Sequence, residues 1–347
     1  MRQPAWVDVD ADGDLDLFVG FRDRADMFFR NLGGRLTDVA AEIGLADARK
    51  TVGAVWFDYD GDGDIDLYAA HMDGDANGLY RNDKGRFTDV AEAAGVAWGG
   101  RARGDATSGT VRPCAADVDG DGRFDLFTAN YGPNGLFLNR GGGRFEDVSA
   151  ASGIAIDGRY DTCAFGDVDN DGDLDLFVNG TVTGGKSYPD SLFRNSGGRF
   201  DDVTPANLKA LDADHGALWM DADADGDVDL ALTGQQPNGM HLLLRNLLPP
   251  DGARALHVRV TDTRGRAVRA GAEIRVFAAG TRRLLAARLV DAGSGYDAQN
   301  DMPEHIGVGA AARVDVEVTW PAAGTRSVTR VRNVRIGAPG AVVVKSR

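Results

Sequence analysis

Five loops of the form Asp-x-Asp-x-Asp-Gly-x-x-Asp interrupt the first two thirds of the chain, beginning at Asp8, Asp58, Asp117, Asp167 and Asp221. Counting the first Asp as position one, positions three, five and nine are also acidic. The four acidic positions are held by Asp8, Asp10, Asp12 and Asp16; Asp58, Asp60, Asp62 and Asp66; Asp117, Asp119, Asp121 and Asp125; Asp167, Asp169, Asp171 and Asp175; and Asp221, Asp223, Asp225 and Asp229. Calcium takes roughly six to eight hard oxygen ligands, and alternate residues of a tight loop can aim successive carboxylates at one point. Position seven would add only a backbone carbonyl, so its side chain is free to vary: Asp14, Asp64, Asp173 and Asp227 stand there, but also Arg123. Gly13, Gly63, Gly122, Gly172 and Gly226 at position six allow the sharp turn. The twelfth position carries Val19, Ala69, Thr128, Val178 and Leu232, with no bidentate Glu, which excludes an EF-hand. Solvated Asp turns are the bland alternative, and they leave the crowding of like charges unexplained. About five mainly structural calcium ions are expected.

The elements that position these loops repeat with them, at a period of about 50 residues. An apolar run leads in, as in Val55-Trp56-Phe57, and another leads out, as in Leu174-Asp175-Leu176-Phe177-Val178. A third short strand ends in Arg-Asn or its near match, as at Phe28 to Asn31 and Leu192 to Asn195. A Gly-rich turn and a fourth strand follow, Arg-Phe-x-Asp-Val at Arg86, Arg144 and Arg199. Four short strands per unit is the pattern of a propeller blade. The expectation is an all-β, calcium-binding β-propeller of about five four-stranded blades over residues 1–250, followed by a small β-sandwich-like unit over 251–347. The fifth unit lacks its Phe-x-Asp-Val strand, so ring closure stays open. The ring is closed by the first strand of the next unit, or blades lie outside this chain.

Composition agrees with that reading. Gly is abundant at 47 residues, which suits many tight turns and no long helices. The formal charge is −15, and five divalent ions would bring it to about −5, so the acidity reports metal loops and argues against nucleic acid as a partner. No stretch approaches the length of a membrane span. Cys114 and Cys163 are the only cysteines, so no disulfide framework supports the fold; a bridge between them is the lesser option, because they lie in equivalent strands of neighbouring repeats and would need closely matched geometry.

The loops and their flanking strands resemble the FG-GAP/VCBS repeat family over roughly residues 5 to 246. That resemblance implies Asp-rich loops that join the two inner strands of each blade and bind calcium. After Pro249-Pro250-Asp251-Gly252 the period-2 strands of a second unit begin. Gly293-Ser294-Gly295-Tyr296, Gln299-Asn300-Asp301, His305-Ile306-Gly307-Val308-Gly309 and Trp320-Pro321 resemble the ASPIC/UnbV domain. The pairing is that of cartilage acidic protein-like and bacterial UnbV-like proteins, some of the latter encoded beside natural-product biosynthesis genes.

In such a blade the irregular loops emerge on the face opposite the calcium turns. Counting back five and six residues from each first Asp identifies Arg2/Gln3, Val52/Gly53, Val111/Arg112, Asp161/Thr162 and His215/Gly216 as the ring around the channel mouth. The family tends to place a small residue second in each pair, and Arg112 departs from this. Arg112, Asp161 and His215, with Tyr160, His71 and Asp214 nearby, could form an acid/base and anion-holding cluster. A simple inter-blade ion pair is the plainer reading. His305 and Asn300 are read as parts of a structural turn. No Ser-His-Asp elbow, phosphate loop or dinucleotide fingerprint is present.

Two functions stay open on sequence grounds. One is recognition of a protein, glycan or small-molecule ligand by the face opposite the calcium loops. The other is a calcium-dependent secondary-metabolism enzyme of cyclase, lyase or alkylating type, using the axial cluster. Location divides similarly: the family and weak calcium sites point to an extracellular or periplasmic protein, whereas Met1 leads almost directly into the first loop without a signal, which points to the cytoplasm for a complete chain.

Overall fold

The computed structural model describes residues 2–209, 214–234, 241–248, 254–266, 270–291, 303–321, 323–337 and 340–346; for 214 and 215 it describes the backbone alone. Alternating short apolar runs and Gly turns give an all-β chain. The first blade is β1 (Gln3–Val7), β2 (Asp16–Gly20), β3 (Met27–Asn31) and β4 (Leu36–Asp38), antiparallel and in sequence order. The second is β5 (Thr51–Phe57), β6 (Asp66–His71), β7 (Gly78–Asn82) and β8 (Phe87–Asp89). The third is β9 (Gly109–Ala116), β10 (Asp125–Pro133), β11 (Gly135–Asn139) and β12 (Phe145–Asp147). The fourth has β13 (Asp157–Gly166), β14 (Asp175–Gly180), β17 (Ser191–Ser196) and β18 (Arg199–Asp202), with a hairpin of β15 (Val182–Thr183) and β16 (Lys186–Ser187) between its second and third strands. The third and fourth blades are joined where β10 pairs with the start of β13, Tyr131 opposite Arg159. The fifth is three-stranded: β19 (Asp214–Met220), β20 (Asp229–Gly234) and β21 (His241–Leu244).

One-turn helices α1 (Ala40–Ile43), α2 (Ala91–Ala94), α3 (Ser149–Ser152) and α4 (Ala206–Lys209) follow the fourth strands. They were not anticipated, because four residues carry no readable helical period. Gly44, Gly95 and Gly153 end the first three in a left-handed conformation.

Blades pack face to face through their apolar residues. Trp56 fills the space between the first two, with its ring 5.6 Å from Phe18 and 6.1 Å from Phe87. The innermost strands are neighbours in chain order, β1 to β5 to β9 to β13 to β19, and among the described residues β19 and β1 do not pack in this way.

Closure by the first strand of the next unit is not what forms. That strand, β22 (Ala255–Thr261), pairs instead with β25 (Glu304–Gly307) and β28 (Val342–Lys345). Its inward residues Leu256, Val258 and Val260 are committed to a separate core. A second sheet of β23 (Glu273–Ala278), β24 (Leu284–Leu289), β26 (Arg313–Pro321) and β27 (Arg326–Arg335) covers that core with Ile274, Val276, Val314, Val316 and Trp320.

Cys114 and Cys163 are joined in a disulfide, with Cα atoms 6.3 Å apart. Equivalent residues of adjacent inner strands come close because those strands line the same narrow axis. Residues 49 apart are thereby closed into a loop, which by chain entropy stabilises the fold by about 4 kcal/mol. Reduction under native conditions, or Cys163→Ala, is expected to lower the urea midpoint by a corresponding amount, and an unchanged midpoint would contradict the bridge.

Candidate functional site

Each Asp loop is built by the same hydrogen bonds. The position-six glycine, at φ between +87° and +108°, donates its N–H to the outer oxygen of position one, as Gly13 to Asp8 at 3.0 Å and Gly122 to Asp117 at 2.9 Å. Position seven donates to position five, as Asp64 to Asp62 at 2.8 Å and Arg123 to Asp121 at 2.9 Å. Position-seven side chains also bond outside the loop: Asp64 accepts from Lys84 N–H, Asp173 from Gly197 N–H, Asp227 from Asn170, and Arg123, which pairs with Asp121 as well, donates Nε–H to Asn139 O at 2.7 Å.

Position nine does more than sequence reading assigned to it. Asp16, Asp66, Asp125, Asp175 and Asp229 each accept two backbone N–H groups, one from position two and one from the Asn that ends the third strand. That Asn then reaches outward. Asn139 donates to Tyr59 O, Asn195 to Val118 O and Asn246 to Val168 O, each in the loop of the preceding blade. Asn31 and Asn82 donate instead to Leu15 O and Ile65 O of their own blades, so the Asn seen in the sequence as a strand-end signal staples neighbouring blades only at Asn139, Asn195 and Asn246.

The donor set fits calcium. Carboxylate oxygens lie within 4.8 Å of one another in Asp8, Asp10 and Asp12; in Asp58, Asp60 and Asp62; in Asp117, Asp119 and Asp125; and in Asp167, Asp169 and Asp175. At position three, Asp10, Asp119 and Asp169 each keep a buried Oδ1 without a hydrogen-bond donor. Their other oxygens face Arg30, Arg140 and Arg194 at 3.1 to 3.6 Å. Three acceptors left bare at the same place in three loops cost free energy unless a cation sits among them. Burial first, and then neighbouring carboxylates, push Asp125 and Asp175 up to about 8.

The C-terminal sheets sit on this loop face. Arg266 donates to Gly13 O at 3.2 Å, Arg275 to Gly122 O at 2.6 Å, and Arg326 lies 3.2 Å from Asp58. Arg288 holds Asp167 at 3.0 Å and Gly172 O at 3.4 Å, and Gly307 N–H donates to the same Asp167 oxygen at 3.0 Å. Buried Glu273 joins Arg275 and Arg326. Gly63 and Gly172 thus have a second reason to lack a side chain, since a Cβ would lie 2.5 Å from Thr325 O and 2.7 Å from Leu285 O.

His305 belongs to this contact rather than to an isolated turn, and Asn300 lies outside the described residues. Burial first, then His257 and Arg288, lower His305 to about 3, so it is neutral. Its Nε2–H donates to Asn170 at 2.6 Å, and Asn170 in turn donates to Asp227 at 2.6 Å. His257 stands 3.3 Å from His305 and 4.0 Å from Asp221. Both imidazoles border a cleft of about 1470 Å³ between the fifth loop and the C-terminal sheets.

On the opposite face the axial count from the sequence lands on backbone irregularities. The bulged residues of β5, β9, β13 and β19 are Val52, Val111, Asp161 and His215. A bulge re-aims its side chain. Arg112 is 2% exposed and reaches Gln3 Oε1 across from the first blade, while Asp161 is 4% exposed. Burial and then the charge and hydrogen bond of Asp161 push the Tyr131 hydroxyl up to about 12. Tyr160 is part of the apolar core between the third and fourth blades. His71 is set between the first two blades, 3.1 Å from Asp47. The side chains of Asp214 and His215 lie outside the described residues.

Comparison with known proteins matches an FG-GAP-like repeat model at residues 8–69, 58–128 and 117–178, and an ASPIC and UnbV model at 263–339. Cartilage acidic protein 1 of Homo sapiens is 28% identical over 296 residues, covering 82% of this chain and 43% of that protein. The Mus musculus protein is 29% identical over 297 residues, with 82% and 44% covered. The chain therefore spans less than half the length of these relatives. Among solved structures, an Agrocybe aegerita lectin recognising non-reducing terminal N-acetylglucosamine aligns at TM-score 0.42 and 20% identity, over 72% of this chain and 63% of that one. The V. cholerae biofilm matrix protein Bap1 aligns at 0.43 and 12%, over 97% and 68%. Superpositions this loose carry no argument about ligands.

Proposed function

We propose, from the premise that this chain belongs to the FG-GAP-like repeat proteins with a C-terminal ASPIC and UnbV domain, that it is a calcium-loaded recognition protein presenting the face opposite its Asp loops to a protein or glycan. The observation that carries this reading is the placement of the C-terminal sheets. Arg266, Arg275, Arg288 and Arg326 engage loops one, three, four and two, so the loop face is committed within the chain. The other face offers cation-on-aromatic pairs of the kind enriched at recognition surfaces: Arg159 lies 4.7 Å from the Tyr131 ring centre, and Lys186 lies 4.4 Å from that of Tyr188. The disulfide suits an oxidising compartment, where calcium is also abundant. Recognition takes precedence over a calcium-dependent secondary-metabolism enzyme because Arg112 and Asp161, at 2% and 4% exposure, offer a substrate almost no surface.

The test is a panel of immobilised glycans and matrix proteins, probed with calcium-loaded protein. Tyr131→Ala combined with Arg159→Ala is expected to weaken capture by about 30-fold, since two central contacts of this type contribute on the order of 2 kcal/mol. The exposed Arg283→Ala on the C-terminal sheets is the control. Capture unchanged by the double substitution, or no capture by any member, removes this face as the recognition surface.

A further inference from the structure

A repeat protein contains its own control: a side chain that recurs in every blade is explained by the blade, and one that occurs once has a local cause. Asp26, Asn77, Asn134 and Asp190 immediately precede the third strands, and each accepts the N–H of the equivalent residue five positions past the ninth loop position, at 2.8 to 2.9 Å. That residue is Phe21, Asn130 and Gly180 in the first, third and fourth blades, but His71 in the second. Among the described residues no other blade repeats His71 or its neighbour Asp47.

His71 is fully buried. Its Nδ1 lies 2.8 Å from Ala76 O, an atom that can only accept, so Nδ1 donates there and Nε2 is the nitrogen turned toward the two carboxylates. Nε2 makes no hydrogen bond of good geometry. It lies 3.1 Å from Asp47 Oδ2, and the Asp26 carboxylate completes a group whose ligand atoms all fall within 4.8 Å. Two carboxylates and the second imidazole nitrogen therefore converge on one point. The donors present hold the carboxylates in place: Phe21 N–H at 2.8 Å and the Thr51 hydroxyl at 2.7 Å on Asp26, and Arg49 at 2.9 Å with the Tyr80 hydroxyl on Asp47. This is the arrangement by which outer partners orient metal ligands. Charge agrees. Arg49 is shared between Asp47 at 2.9 Å and Asp89 at 2.7 Å, so it does not neutralise these carboxylates by itself, and a divalent ion would add the missing positive charge.

We propose that Asp26, Asp47 and His71 bind one divalent transition-metal ion of the zinc class, at a site distinct from the Asp loops and on the opposite side of the blades. An imidazole nitrogen with two carboxylates favours zinc or cobalt over calcium, which takes oxygen ligands. Three protein ligands leave a fourth coordination position open.

The test uses the full chain in millimolar calcium, titrated with zinc by calorimetry and with cobalt(II) by visible absorption. One equivalent of either ion is expected to bind without displacing calcium, with a cobalt spectrum showing nitrogen ligation. His71→Gln is expected to abolish that equivalent and to leave calcium stoichiometry unchanged. Asp26→Asn is the variant least prone to misfolding, because Asn already occupies this place in the second and third blades, and it is expected to weaken zinc at least tenfold. No uptake of zinc or cobalt beyond calcium, or uptake unaltered in both variants, overturns the proposal and leaves His71 as an imidazolium paired with Asp47.

Discussion

Chelating divalent ions from the protein is expected to lower its melting temperature by about 15–25 °C, with calcium restoring it and magnesium doing so poorly. The estimate follows from linkage: an ion held at roughly ten times its Kd stabilises the folded state by about 1.4 kcal/mol, and five such sites give about 7 kcal/mol. At about 2–4 °C per kcal/mol for a repeat region of this size, the shift is large. The structural cause is specific. Buried oxygens on Asp10, Asp119 and Asp169 have no hydrogen-bond donor, and an ion in the loop would partner them. Without it, the carboxylates that burial has pushed up, Asp125 and Asp175 foremost, must take protons or repel. Differential scanning calorimetry with and without chelator decides the matter, and an unchanged transition would refute calcium in these loops.

The second large effect is expected from Arg288→Ala. Arg288 and Asp167 form an ion pair in which the side chains are 5% and 0% exposed. Removing one partner of a buried pair leaves an uncompensated charge and costs about 3–5 kcal/mol. Because this pair spans the fourth loop and β24, the loss should appear as release of the C-terminal sheets: earlier cleavage in limited proteolysis and a split thermal transition. Arg282→Ala supplies the comparison. Its partner Glu317 is also acidic, but Arg282 is 72% exposed, and surface pairs contribute about 1 kcal/mol or less. Equal behaviour of the two variants would show that the loop-face contact does not hold the units together.

The Asp loops and strand order were legible because they are periodic, and a five-fold phase in Asp and Gly leaves few alternatives. What escaped was mostly non-periodic. Arg266, Arg275, Arg288 and Arg326 follow no common spacing, so nothing in the sequence showed that they converge on the loops. The Cys114–Cys163 bridge depended on how closely inner strands approach, which equivalent positions alone do not reveal. The axial count reached the right places, but it could not foresee that Val52, Val111, Asp161 and His215 would be bulged residues, or that Arg112 would meet Gln3. Position nine was legible as acidic, but its double backbone acceptance was not, because a backbone acceptor and a metal ligand leave the same letter in the sequence.

The contacts beneath the C-terminal sheets bear on curvature. Arg326, Glu273, Arg275 and Arg288 are fixed within one small sheet, β23 with its neighbours, and they meet loops two, three and four in succession. A rigid unit touching three consecutive blades works as a gauge: it sets the angle from each blade to the next independently of the packing between them. Insertion of a blade anywhere in that span would break register with the gauge, whereas blades added beyond the first or fifth would not. The size of the arc is then free to vary at its ends while its middle is held to one pitch.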